Sequence, residues 1–210
     1  MRRFLFDLYR LKNKRKYSFG RKKRIFKKGF HHASLRNIVK KAGVTTGAFY
    51  GYYKSKEALF DALVKEQKQY FLDCFNQAQE EFANLPPQQQ PDNMGEISGN
   101  CMLFLLDYMY ENIEVFQLLL CCAQGTKHST FIDTLVEIEI ASTHRFMNVL
   151  RQIGYPIKEI DLQLEHMLAS GMFGAFFETI IHDMPKKQAV HYVKELKEFY
   201  MAGWQKIMGL

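Results

Sequence analysis

The sequence predicts an all-α protein with a basic helix-turn-helix head over residues 1–60 and a helical body over residues 61–210. Three observations carry that prediction. Apolar residues recur at helical spacing along nearly the whole chain, and runs of strict alternation, the mark of half-buried strands, are missing. Charge is divided: through Phe60 there are 18 Lys or Arg against Asp7 and Glu57, a net of +16, whereas the other 150 residues hold 11 Lys or Arg against 20 Asp or Glu, a net of −9. Finally, residues 34–53 read helix, glycine turn, helix. With 47% apolar and 24% charged residues, the composition is that of a folded globular chain.

In the head, Ser34 is expected to cap a short helix whose buried stripe is Leu35, Ile38, Val39 and Ala42, and Gly43 ends it as the residue that tolerates a left-handed turn. Thr45 caps a second short helix, with Ala48, Phe49 and Tyr52 or Tyr53 following at helical spacing. A second helix in that position is the one that enters a major groove. Its outward face is small: Thr45, Thr46, Gly47 and Ala48 permit close backbone approach, with methyl groups for thymine and hydroxyls for bases or phosphates. Tyr50 and Tyr52 offer phenolic donors to phosphate oxygens, and Lys56 adds charge in the first turn of the next helix. A basic head on an acidic body suits a polyanion partner, because phosphate contacts release counterions. Composition alone also fits a membrane-surface or RNA-associated tail.

Ser55 opens a long helix carried by Leu59, Phe60, Leu63, Val64, Tyr70, Phe71 and Phe75 toward Phe82. The stretch "NLPPQQQPDN" at 84–93 reads as a loop, with helix resuming near Met94. Further helices are expected at about 95–109, 111–124, 128–153, 158–183 and 185–208, punctuated by Gly154, Pro156 and Pro185. Small residues Ser170, Gly171, Gly174 and Ala175 centre the penultimate helix, and the last carries Tyr192, Leu196, Phe199, Tyr200, Trp204 and Ile207. Two adjacent helices this apolar suggest a four-helix homodimer interface that includes Gly171, Ala175, Phe199 and Trp204; internal core is the alternative.

The head resembles the DNA-binding domain of the TetR family of transcriptional regulators. The resemblance rests on Lys28-Gly29-Phe30, Ser34-Leu35-Arg36, Ile38, Ala42-Gly43-Val44, Gly47, Tyr50, Tyr53, Lys56-Glu57 and Leu59, at fixed spacing without a gap over about residues 25–65. It implies that Arg36, Thr46, Gly47 and Ala48 face bases of double-stranded DNA while Ser34, Thr45, Tyr50, Tyr52 and Lys56 hold its backbone. It also implies a homodimer on a palindromic operator, usually a repressor, whose helical body is an effector-binding and dimerisation domain. Phe104, Tyr108, Phe116, Phe131, Met147, Met167, Phe173 and Phe177 either line an effector pocket there or pack the core.

One stretch departs from the family. Its members open with a helix resembling "ILxAAxxLFxxKGF", whereas the same positions here read "YSFGRKKRIFKKGF", with Gly20, Arg21 and Arg24 where Ala and Leu belong. Tyr-Ser-Phe-Gly written TAT TCT TTT GGC and read one base later gives Ile-Leu-Leu-Ala, so a frameshift restored near Ile25 accounts for the loss. A genuine basic arm of the kind that reaches into a minor groove is the rival. A helical small-molecule-binding dimer without DNA-binding activity is the corresponding functional alternative.

Other classes find little support. Cys74, Cys101, Cys121 and Cys122 have no CxxC spacing and no secretory leader precedes them, so reduced cytoplasmic thiols are expected, with Cys121-Cys122 as small apolar residues rather than a redox sensor. The apolar stretch 169–181 is short and contains Glu178, so no membrane span is expected. His31-His32 reads as an exposed loop pair, and His128, His144, His166, His182 and His191 lack zinc-like spacing; no metal or cofactor is expected. Without a nucleophile elbow, phosphate loop or HExxH, the chain does not read as an enzyme.

Overall fold

The computed structural model describes Phe30 and residues 34–210. Among the described residues every regular element is helical: α1 (Leu35–Ala42), α2 (Thr46–Tyr50), α3 (Lys56–Ala83), a 3-10 turn (Pro87–Gln89), α4 (Gln90–Glu111), α5 (Ile113–Cys122), α6 (Phe131–Gln152), α7 (Leu162–Ile181) and α8 (Lys186–Met208). Two compact units result. The first takes the chain through Glu66 and again over Glu114–Ser129; the second comprises Gln67–Ile113 and Thr130–Leu210. The altered positions 17–24, the rest of the basic stretch through residue 29, and His31-His32 lie outside the described residues. No described helix is long and apolar enough to cross a membrane.

In the first unit, Ile38, Val39, Phe49, Leu59, Phe60 and Val64 are buried, the stripes that helical spacing assigns to α1, α2 and α3. Phe30 meets Phe60 edge-on at 5.3 Å. The segment after α5 closes on α3 through charge: Asp61 lies 2.8 Å from Lys127 Nζ and 3.0 Å from Nε2 of the buried His128, whose ring is 5.9 Å from that of Phe60. The Lys127 bond, helped by His128, holds the Asp61 carboxyl below its ordinary range against a partial desolvation.

In the second unit, rings build the core. Phe71 packs edge-on against Phe131 at 5.5 Å, Phe177 lies 5.7 Å from Phe131, and Phe75 meets Phe173 at 5.6 Å. A second cluster gathers Phe146, Met147, Leu150, Trp204 and Met208, with Phe82 edge-on to Phe146 at 5.2 Å.

Two boundaries differ from the reading of the sequence. Helix α4 starts at Gln90 instead of near residue 95, because Pro91 sits in the first turn where its missing N–H costs nothing. The buried Gln90 also donates through Nε2 to the carbonyls of Ala83 (3.3 Å) and Leu85 (3.1 Å), which closes the end of α3. Helix α7 starts at Leu162 instead of 158, since the Asp161 carboxylate accepts from the N–H groups of Gln163 and Leu164 and sets the boundary there. The preceding residues Ile157 and Ile160 pack on the Trp204 cluster.

Candidate nucleic-acid interface

Helices α1 and α2 are joined by Gly43, whose φ of 72° is left-handed and whose N–H bonds back to the Lys40 carbonyl. Thr45 then caps α2: its Oγ1 accepts from the Ala48 N–H at 3.1 Å. On this five-residue helix only Phe49 turns inward, 2% exposed and 5.7 Å from the Tyr53 ring. Thr46, Gly47, Ala48 and Tyr50 are all exposed. Arg36 on α1 is exposed as well, and so are Ser34, Thr45 and Tyr52. One short, anchored helix thus presents a small-residue face flanked by phenol and guanidinium groups.

A Cβ added at Gly47 would meet nothing nearer than Thr45 Oγ1 at 4.0 Å, and the backbone there is helical. Nothing in the described fold demands glycine, although glycine weakens a helix. Gly47 is exposed, and the missing side chain leaves its backbone open to close approach.

Ser34 and Lys56 make contacts within the fold that the sequence does not announce. The Ser34 side chain makes no capping bond; its carbonyl accepts instead from the N–H groups of Asn37 and Ile38, both at 3.0 Å. Lys56, expected on the phosphate backbone, donates through Nζ to the Phe30 carbonyl at 2.7 Å and lies 4.1 Å above the Phe30 ring. Its ammonium ties down residue 30, so less of its charge is offered outward. Conversely, Lys40 and Lys54 are exposed cations that the sequence reading passed over. Lys40 stands one turn after Arg36, a spacing that puts both on one helical face and was the available signal.

Residues 23–63 match the family described as "Bacterial regulatory proteins, tetR family". Residues 23–63 are a TetR-family helix-turn-helix domain. A stretch of 39 residues is 51% identical to the uncharacterized HTH-type transcriptional regulator YdgC of Bacillus subtilis (strain 168), spanning 19% of this chain and 20% of that relative. The chain thus matches about a fifth of the length of this curated relative. A solved chain assigned to the TetR family of transcriptional regulators, from Mesorhizobium loti MAFF303099, is 18% identical over 89% of this chain and 98% of its own, with a TM-score of 0.47. The TetR-family match begins at residue 23, downstream of Gly20 and Arg21. The family is one of regulators, not enzymes.

Beyond the TetR-family domain, the second unit holds a cavity of about 120 Å³. None of the eight residues expected around an effector lines it. Phe131, Phe173 and Phe177 belong to the ring core and Met147 to the Trp204 cluster. Tyr108 lies against Tyr70 at 4.6 Å, while Phe104 and Met167 are 50% and 69% exposed. Phe116 is buried in the first unit. The lining is instead drawn from ring residues such as Phe75, Phe82, Phe146 and Phe176, with Gln79, Glu139 and Ser142 among its polar members. Of the four residues expected at a dimer face, Gly171 and Phe199 are exposed and Ala175 is half-buried. Trp204, 8% exposed, packs with Phe146, Met147, Leu150 and Met208. Among the described residues no group of three or more His, Cys, Asp or Glu is gathered as a metal site would need.

Proposed function

We propose that the protein is a ligand-responsive transcriptional regulator of the cytoplasm, acting as a repressor that binds a palindromic operator as a homodimer. The observation that carries the reading is the exposed face of α2, where Gly47 has no internal reason to be glycine. Arg36, Thr46, Gly47 and Ala48 face base edges; Ser34, Thr45, Tyr50 and Tyr52 hold phosphates, with Lys56 behind them securing residue 30. The free hydroxyl of Ser34, unspent on a cap, suits that role. Two such heads in successive major grooves stand about 34–36 Å apart between centres. An effector bound in the helical body shifts the head spacing by a coupling of about 1–3 kcal/mol.

Support for a homodimer comes from α7 and α8. Leu164, Met167 and Gly171 recur at helical spacing on exposed positions of α7, and on α8 Phe199 is 70% and Tyr192 42% exposed. Such a seam of large apolar and small residues is what a second copy covers.

Titration of a palindromic promoter fragment against increasing salt tests the reading. Tyr50→Phe is expected to weaken binding to all sequences alike, whereas Thr46→Ala alters sequence preference. Absence of specific binding at any salt favours instead a helical ligand-binding dimer without DNA-binding activity, the reading suggested by Gly20 and Arg21 upstream of the matched domain and Arg24 at its start.

A further inference from the structure

Resting on the ligand-responsive reading above, we propose that the cavity of the second unit takes a small aryl or branched alkyl amine whose ammonium is held by the Glu139 carboxylate. Size comes first. At about 120 Å³ the cavity is near the roughly 150 Å³ that holds benzene in an apolar core, so the occupant is a single ring with a short arm. Met94, Met102, Met172 and Met201 in the wall allow modest expansion.

Chemistry comes second. Ser142 Oγ donates to Gln79 Oε1 at 2.5 Å, which orients the amide so that its Nε2 donates to Glu139 Oε2 at 2.9 Å. All three residues line the cavity. The relay of donors ends on the carboxylate of the half-buried Glu139. A carboxylate has room for about four donors, and one left short of them among rings is poorly compensated. Behind it stands a second carboxylate, the fully buried Glu165, with Oε2 2.7 Å from His144 Nε2 and Oε1 without a partner among the described residues.

The one basic residue in the lining does not neutralise this corner. The Lys197 side chain crosses Gly99, where an added Cβ would come within 2.7 Å of its stem and 3.0 Å of its ammonium; that ammonium lies 3.9 Å from Glu198 and makes no ion pair with Glu139. Cys101 from α4 brings no negative charge, since burial pushes its thiol up to about 12. An ammonium therefore supplies both the donor and the charge that Glu139 lacks, while its ring packs on Phe75, Phe82, Phe146 and Phe176. A carboxylate ligand would face two anionic groups.

Proton linkage follows. Burial pushes the Glu139 carboxyl up to about 7, with the charge of Glu165 adding to the rise and the Gln79 bond opposing it. Below that pH the unliganded carboxyl holds a proton, and an arriving ammonium displaces it to solvent, so amine affinity rises as pH rises through neutrality.

Calorimetric titration of the full chain with benzylamine, benzyl alcohol and benzoate provides the test. At about pH 8 benzylamine is expected to bind about tenfold tighter than benzyl alcohol, the scale of one charged hydrogen bond, with benzoate weakest. At about pH 6 its binding should release close to one proton, read from buffers of different ionisation heat. Glu139→Gln removes the tenfold preference but still takes benzyl alcohol; Lys197→Met keeps the preference. Equal affinity for amine and alcohol, preference for benzoate, a preference that survives in E139Q, or no binding of any of the three overturns the proposal. Operator affinity is followed in parallel: benzylamine that binds as described without changing it leaves this inference standing and removes the ligand-response reading.

Discussion

At residue 47 the interests of the fold and of a partner diverge. Alanine fits there sterically and favours helix, so Gly47→Ala is expected to leave stability unchanged or raise it by up to about 1 kcal/mol. Operator affinity should nevertheless fall by about tenfold or more, the scale of one lost base contact. Thermal unfolding and fluorescence anisotropy on the same preparation separate the two effects; a stabilised variant with undiminished operator binding would remove Gly47 from the interface. Lys56 shows the opposite economy. A cation that the family resemblance assigns to phosphate also bonds a backbone carbonyl and lies over an aromatic face, both of Phe30.

Among the elements, the join between α3 and α4 depends on a single side chain. Gln90 gives two donor bonds to carbonyls that the end of α3 leaves open, so Gln90→Ala is expected to cost about 1–3 kcal/mol, seen as a lower denaturant midpoint with an unchanged slope. That join also marks where the sequence was hard to read. Prolines at 86, 87 and 91 read as a long break, yet a proline in the first turn of a helix is harmless, and what starts α4 is a glutamine bonded back to residues five and seven positions earlier. Period and caps with local partners were legible: the stripe of α1, the left-handed Gly43, the Thr45 cap and the full course of α3 all stood in the spacing. The cavity was not. Gln79 on α3 lies 60 and 63 positions from Glu139 and Ser142 on α6, and the periodicity of each helix says only which residues turn inward, not which of those stop short of touching.

On the scale of the whole molecule, the proposed homodimer rests on the apolar surface left on α7 and α8. Phe199 and Met167 are 70% and 69% exposed, and burying large apolar side chains that a subunit leaves in water favours association. Phe199→Glu is expected to convert a dimer to a monomer in sedimentation experiments, with loss of tight operator binding because only one half-site is then engaged. Retention of the dimer would move the interface off this face.

The first unit is also discontinuous in sequence: the chain leaves it at Glu66 and comes back for Glu114–Ser129. A ribosome has therefore finished the helix-turn-helix well before it makes Lys127 and His128, the groups that close on Asp61 and Phe60. At about 5–20 residues per second, the stretch from Glu66 to Ser129 takes roughly 3 to 13 seconds to synthesise. During that interval the nascent head carries Phe60 without its histidine and Asp61 without its cations.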